Sequence, residues 1–384
     1  MINTKYTIRE QNEALILQKI IDEHTISRAS LSTLTNLNKA SVSSITKKLL
    51  DEQLISEVGI GVSSNIGGRK PILLEFNGLS ALSLSLDIGT DYIEGILSFI
   101  DGKIIKKIKH RKMVISNEKI IVLIKSIIKD LLEIEPETPH GIVGLSIAIH
   151  GTVNNNNIIF TPNYSLDKID LLKLLEEQYN FPIFIENEAN LAALGEYAFS
   201  SKSNNLISIS IHSGIGAGIV ENGLLKQGKH GNAGEIGHSI LYPNGKLCPC
   251  GNHGCLEQYI SNNVLYKEIE SILSLENLTS EDIQYHYNQG NQEVITILEE
   301  NINLLSVGIN NLSVLFDPDL VIINSSVYQK IPSLLDKLQQ KMVSNFSKDI
   351  ILQNSPLQNN ATLLGGTIKV AQNFLNIDNL KFIK

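Results

Sequence analysis

The chain has 384 residues, 42% hydrophobic and 19% charged, with no tryptophan, so it can bury two or three aliphatic cores. No apolar run approaches the 18 or so residues of a membrane span, and Met1–Glu10 holds no signal-like apolar run, so neither a membrane protein nor an exported one is expected. A net charge of −8 excludes a general nucleic-acid binder. The charge is uneven, however. Residues 1–77 hold nine Lys and Arg against eight Asp and Glu, and the remainder holds 23 against 32, so any DNA contact is expected from the head.

The head opens with a helix. From Thr7, the residues Ile8, Leu15, Ile16, Ile20 and Ile21 recur at helical spacing. Ser27 is placed to cap a second helix beginning Arg28-Ala29-Ser30-Leu31. That helix stops near Thr35–Asn38, where Asn36 tolerates a left-handed turn. A third helix is expected over about 39–53, with Ala40, Val42, Ile45, Leu49 and Leu50 inside and Ser41, Ser43, Ser44, Thr46, Lys47 and Lys48 outside. Lysines neutralise phosphates and hydroxyls reach base edges, so this outer face suits a major groove. Leu54–Gly59 and Pro71–Phe76 read as two strands around a glycine-rich tip that ends in Arg69 and Lys70. Residues 1–77 are therefore expected to form a winged helix-turn-helix, with the helix-turn-helix at about 28–47 and the wing at about 54–76. Candidate DNA contacts are Lys39, Ser41, Ser43, Ser44, Lys47, Arg69 and Lys70.

The body alternates strand and helix, which implies an α/β layer architecture. Strands are expected at Leu82–Gly89, Tyr92–Phe99, Lys103–Lys109 and Gly141–Ile149, with a helix at Ser116–Leu132. A second half repeats the pattern: a strand at Asn205–Ile211, the glycine run Ser213–Gly218, then Ala217–Glu221 and Leu224–Gln227. Helices follow at about 261–274, 280–287, 293–314 and 331–343, with a strand at Leu320–Asn324 and a helical tail at Thr362–Phe374.

All three cysteines, Cys248, Cys250 and Cys255, lie within eight residues, and His238 precedes them by nine intervening residues. A Cys-x-Cys pair is too close for an easy disulfide. Three thiolates and one imidazole are instead the ligands of a closed tetrahedral zinc site, one ion per chain. Gly251 and Gly254 allow the turn that returns Cys255 to its partners. His253 is expected to be a solvated loop histidine. Cysteines spent as metal ligands fit a reducing cytoplasm.

Glu235-Ile236-Gly237-His238, nine residues, then Cys248-Pro249-Cys250-Gly251-Asn252-His253-Gly254-Cys255-Leu256-Glu257 resembles the signature of the ROK family of sugar kinases and sugar-responsive repressors. The resemblance implies that the zinc is structural and presents Glu235 and Glu257 to a sugar. It also implies a two-lobed, actin-like (ribonuclease-H-like) fold with the ligand between the lobes. The first lobe is then 82–200 plus a closing helix at about 361–384, and the second is 201–360 with the zinc loop at 238–257. Thr161-Pro162-Asn163 and Glu186-Asn187-Glu188-Ala189-Asn190 match further family segments. The implied sugar contacts are Asn163, Asn187, Glu188, Glu235, His238 and Glu257.

In the kinases of the family an aspartate general base stands where this chain has Glu188. Their first phosphate loop is Asp-x-Gly-Gly-Thr; here Thr90 and Asp91 follow Asp87-Ile88-Gly89, crowding and repelling a phosphate. A third glycine-rich position reads Asn324-Ser325-Ser326, while Gly214–Gly218 is nearly intact. The run from Arg9 through Asn12, Ile26-Ser27-Arg28, Leu54-Ile55 and Gly67-Gly68-Arg69-Lys70-Pro71 is similar to the heads of the family's repressors, and Asp91–Leu97 with Glu186-Asn187-Glu188-Ala189-Asn190 resembles the xylose-responsive ones. The resemblance therefore implies a non-enzymatic repressor of a carbohydrate operon. It would bind a palindromic operator as a homodimer, or as a tetramer built from it, and be released by a free neutral sugar, with xylose favoured. The rival readings are a sugar kinase carrying a DNA-binding head and a repressor that answers to glucose, N-acetylglucosamine or a phosphosugar.

Overall fold

The computed structural model describes residues 11–60, 70–162 and 164–383. The expected wing tip at 61–69, with Arg69, and the expected sugar contact Asn163 lie outside these residues. The head consists of α1 (Gln11–Glu23), β1 (Thr25–Ser27), α2 (Arg28–Thr35), α3 (Lys39–Asp51), β2 (Ile55–Ile60) and β3 (Ile72–Phe76). Ser27 caps α2 by accepting from the Ser30 amide, and Asn36 ends it in the left-handed conformation at φ 55°. Asn38 caps α3 in the same way, through the Ser41 amide. The short strand β1 pairs antiparallel with β3, which makes the head's sheet three-stranded in the order β1-β3-β2.

The inner face of α3 differs from expectation at two positions. Thr46 is fully buried and Ala40 is exposed. Val42, Thr46 and Leu49 lie four and three residues apart, on one stripe, whereas Ala40 falls outside it. The Thr46 hydroxyl is satisfied inside by donating to the Val42 carbonyl, and it accepts from Arg28 Nε. Burial there places no polar group without a partner.

The first lobe contains β4 (Leu82–Ile88), β5 (Tyr92–Phe99), β6 (Ile104–Arg111), α4 (Ile120–Leu131), β7 (Ile142–Ile149), the hairpin β8 (Thr152–Asn154) and β9 (Asn157–Phe160), α5 (Leu171–Glu176) and β10 (Ile183–Asn187), followed by α6 (Glu188–Phe199). Its sheet runs β10-β7-β4-β5-β6, with β10, β7 and β4 parallel and the β4-β5-β6 meander antiparallel. Helix α4 begins a turn later than expected.

The second lobe contains β11 (Leu206–Ile211), β12 (Ile215–Glu221), β13 (Leu224–Leu225), α7 (Glu257–Ile260), α8 (Asn262–Leu273), α9 (Ser280–Asn288), α10 (Gln292–Phe316), β14 (Leu320–Asn324), α11 (Ser326–Lys330), α12 (Ser333–Lys341) and β15 (Ile351–Asn354), before α13 (Ala361–Leu375). The sheet order β13-β12-β11-β14-β15 repeats the first lobe's plan. The helix expected at 331–343 starts at Ser333, and α11 ends before Pro332. Proline lacks the amide a continuous helix needs there.

Helices α6 and α13 cross between the sheets. Helix α13 packs on β4 and β7, and α6 packs mainly on β11 and β12. By packing, then, α6 covers the second sheet, although it directly follows a first-lobe strand. Every residue of α6 from Glu188 to Ala198 is buried, as a helix sandwiched on all sides requires. The two helices touch backbone to backbone: a Cβ on Gly365 would meet the Leu191 carbonyl at 1.7 Å.

The head is not a separate bead. Ile16, Leu49 and Leu54 share one continuous core with Ala81, Ile100 and Phe374. Removing the head would uncover first-lobe surface, so tests of function need the whole chain.

Candidate ligand cleft and metal cluster

His238 ends a 3-10 turn, Ile236–His238, and the cysteines occupy the loop that returns to α7. Short bridges, Ile240 to Cys255 and Leu247 to His253, fold that loop into a narrow hairpin. Gly254 adopts φ +79°, and a Cβ there would strike the Tyr242 carbonyl, so the turn requires glycine. The four ligand atoms of His238, Cys248, Cys250 and Cys255 lie within 4.8 Å of one another. Bonds of zinc length at a tetrahedral angle put two sulfurs about 3.8 Å apart and a sulfur and nitrogen about 3.5 Å apart. The Cys250 and Cys255 sulfurs are 3.7 Å apart, and Cys248 Sγ is 3.5 Å from His238 Nδ1. The residues therefore fit a tetrahedral metal ion. Burial pushes the Cys248 thiol up to about 12, so a cation is what would hold it as thiolate.

The metal cluster backs onto a cavity of about 280 Å³ between the lobes. Five of the six expected sugar contacts, Asn187, Glu188, Glu235, His238 and Glu257, line it. His238 faces both ways. Its Nδ1 points to Cys248 and its Nε2 lies 4.0 Å from Glu235. Glu257 Oε1 is 3.7 Å from His238 Nδ1, so both carboxylates lie beside the cluster of His238 and the cysteines. Burial pushes the Glu235 carboxyl up, against the pull of His238 and Thr152. Thr152 Oγ1, on the first lobe, donates to Glu235 Oε1 across the cleft at 3.3 Å.

Asn187 has a second duty. It caps α6 through the Asn190 amide and donates to the Gly151 carbonyl, leaving one N–H and one lone pair for a ligand. Glu188 begins α6 and accepts from Ser210 at 3.2 Å and Thr362 at 2.7 Å, so one carboxylate joins α6, β11 and α13. Lys267 of α8 is the lysine among the lining residues.

Two histidines not singled out from the sequence, His150 and His212, also line the cavity. His150 follows β7 and His212 follows β11, with ring centroids 6.2 Å apart from opposite lobes. His150 Nε2 is shared between Asp87, at 2.9 Å, and the Tyr92 hydroxyl, at 3.2 Å, and that hydroxyl donates to the other Asp87 oxygen at 2.7 Å. Burial works against charge on His150, but the Asp87 carboxylate outweighs it and carries the imidazole to about 9. Burial opposes the Asp87 charge too, and His150 holds that carboxyl below its usual range. His150, which lines the cavity, and Asp87 behind it thus form an ion pair, with Asp87 buried and His150 half-buried. His212 lies 3.7 Å from Glu188, and burial lowers its pKa, which favours the neutral ring. The signal was present in the chain: both histidines stand at the carboxyl ends of strands that have parallel neighbours, where open α/β sheets place their ligands.

On the head, Lys39, Ser43 and Lys47 line the outer side of α3 at four-residue spacing, with Ser44 beside them. All four are exposed, Ser41 is half-buried, and Lys70 is exposed at the base of β3. Lys48 turns back to the buried Glu13 carboxylate.

A profile of the ROK family matches residues 83–373. The chain belongs to the ROK family. A protein named xylose repressor from Bacillus spizizenii is 35% identical over 377 residues, covering 96% of this chain and 97% of its own. The xylose repressor of Staphylococcus xylosus is 36% identical, covering 97% and 98%. The crystal structure of a ROK family transcriptional regulator, described as a homologue of the E. coli MLC protein, superposes with a TM-score of 0.80. It is 27% identical and covers 95% of this chain and 97% of its own. The two-lobed α/β architecture expected from the cysteine loop is thus the architecture of this chain.

The segments expected to correspond to the family's nucleotide-facing loops have the following surroundings. Thr90 and Asp91 lie in the turn between β4 and β5, away from the cavity lining. The group that covers this turn is Tyr92, whose ring lies so close over Gly89 that a Cβ there would sit 2.0 Å away. Asn324, Ser325 and Ser326 pass directly from β14 into α11, and Ser326 bonds to the Tyr266 hydroxyl. Gly218, in the surviving glycine run, serves packing: its Cβ would meet the Ala189 carbonyl of α6 at 2.3 Å. Among the described residues no helix is long and apolar enough to cross a membrane.

Proposed function

We propose that this chain is a xylose-responsive transcriptional repressor, holding its operator through the head and releasing it when free xylose or a close neutral sugar enters the cleft. The observation that carries this reading is the match to xylose repressors along the head as well as the lobes. The cluster would hold one structural zinc, whose role is to fix Glu235 and Glu257. The implied sugar set is Asn163, Asn187, Glu188, Glu235, His238 and Glu257, and the lining holds one lysine, which suits a neutral ligand better than a phosphosugar. The DNA contacts would be Lys39, Ser41, Ser43, Ser44, Lys47, Arg69 and Lys70, with two chains meeting a palindromic operator.

Lys47→Ala tests the head. Losing one phosphate contact should weaken operator binding and flatten the log–log salt dependence by about one unit of slope. An unchanged slope and affinity would remove α3 from the DNA.

The nearly intact Gly214–Gly218 run and the cleft carboxylate of Glu188 favour a second reading, a sugar kinase. Tyr92 covering the first loop argues against it. Protein, ATP, magnesium and a panel of pentoses and hexoses should yield no sugar phosphate above background. Steady turnover would favour the kinase.

A further inference from the structure

The last turn of a helix leaves carbonyls without partners. On α3, one of them is taken by the first lobe. The carbonyl of Glu52, the C-terminal cap of α3, lies 2.8 Å from His140 Nε2. A carbonyl only accepts, so this nitrogen carries the proton. The His140 ring meets Phe374 of α13 edge-on, with centroids 5.1 Å apart. His140 is thus seated between the head and the helix layer that joins the lobes.

The chain leads from His140 directly into β7 and then into the cleft. At the far end stand His150, on the buried Asp87 pair, Gly151, whose carbonyl takes the Asn187 amide, and Thr152, which donates to Glu235 on the opposite lobe. Strand β7 pairs with β4 from Ile142 to Ile149, with a bulge between Ile142 and Leu145, and with β10 over Leu145–Ile149, while His140 and Gly141 ahead of it bond to Ser80 and Leu82. The stretch held on both sides does not lengthen, so a shift imposed at Thr152 is carried along Leu145–Ile149 to the segment that leads back to His140, which is tied to the β4 side by its own backbone bonds. One segment, residues 140–152, therefore touches α3 at one end and a second-lobe carboxylate at the other.

We infer that the His140–Glu52 hydrogen bond couples the cleft to α3: closing the lobes on a sugar moves β7, and His140 passes that movement to the end of the helix set against DNA. His140 is a positioning residue, since it touches neither sugar nor operator. The inference rests on the proposed reading of α3 as the DNA-contacting helix and of the cleft as the sugar site. A purely structural strap would behave differently. Its loss would change operator affinity with and without sugar by the same factor, leaving the ratio untouched.

The test is an operator titration of the full-length protein, with and without saturating xylose, on wild type and three variants. His140→Phe keeps a ring against Phe374 and lacks the donor; His140→Leu serves the same purpose if the ring is not accommodated. His140→Gln restores a donor. Wild type should lose affinity on adding xylose by a factor in the usual coupling range, about 5- to 150-fold. The donor-less variants should bring that ratio close to one while binding xylose, in the absence of DNA, within about twofold of wild type. His140→Gln should recover most of the ratio. A wild-type ratio in a folded donor-less variant overturns the inference, and so does a glutamine variant that recovers nothing. If wild type itself shows no release with xylose, the sugar-repressor reading fails first, and the coupling falls with it.

Discussion

Replacing Cys255 by serine is expected to remove the metal and, with it, the response to sugar. Cys255 is fully buried, and its sulfur sits 3.7 Å from that of Cys250. A serine hydroxyl is a shorter and harder donor than a thiolate and leaves three ligands of the proposed four. The loop from Ser239 to Leu256 then loses the ion that closes it, and Glu257 follows that loop immediately. Metal binding contributes directly to folding free energy in such sites. A loss of a few kcal/mol should lower the melting temperature by on the order of 5 °C. Metal analysis should fall from one zinc per chain to well below it. Chelation of wild type should reproduce the defect and added zinc should reverse it, whereas zinc should not rescue the variant. Full metal content with unchanged melting in the variant would dismiss the proposed ligand set.

Glu235→Ala should give a repressor that binds operator and ignores sugar. Glu235 lines the cavity, accepts from Thr152 of the opposite lobe, and lies beside His238 without belonging to the metal ligands. A charge-assisted hydrogen bond to a sugar hydroxyl is worth about 1.5–3 kcal/mol, so sugar affinity should fall roughly 10- to 150-fold. Metal content and operator affinity without sugar should remain those of wild type, because neither α3 nor the cysteine loop is altered. At a xylose concentration that saturates wild type, the variant should stay on its operator. Wild-type release by this variant would remove Glu235 from the sugar site.

Much of this was legible in the chain, and the rest was hidden for physical reasons. The clustering of His238 with the three cysteines was legible because the four lie close in sequence, so residue type and spacing suffice. The head strands β2 and β3 and the left-handed Asn36 followed from local turn chemistry. Thr46 was misplaced because polarity alone does not show a hydroxyl bonding back to the carbonyl four residues earlier. Helix α6 follows a first-lobe strand in sequence, yet its burial on every side acquires meaning only once both sheets are placed around it. His150 and His212 are 62 residues apart and meet only across the lobes. The shared core of head and first lobe was invisible for a similar reason: Leu54, Ala81 and Phe374 are each ordinary apolar residues until they touch.

Binding of wild-type protein to a labelled operator, followed across xylose concentration, tests the central claim most directly. A sugar that bridges carboxylates of both lobes favours the closed cleft and shifts an existing equilibrium away from the DNA-binding state. Operator affinity should therefore fall by about 5- to 150-fold at saturating xylose, and operator should weaken xylose binding by the same factor. An operator affinity that stays the same at saturating xylose, and with every other neutral sugar tried, would contradict the account.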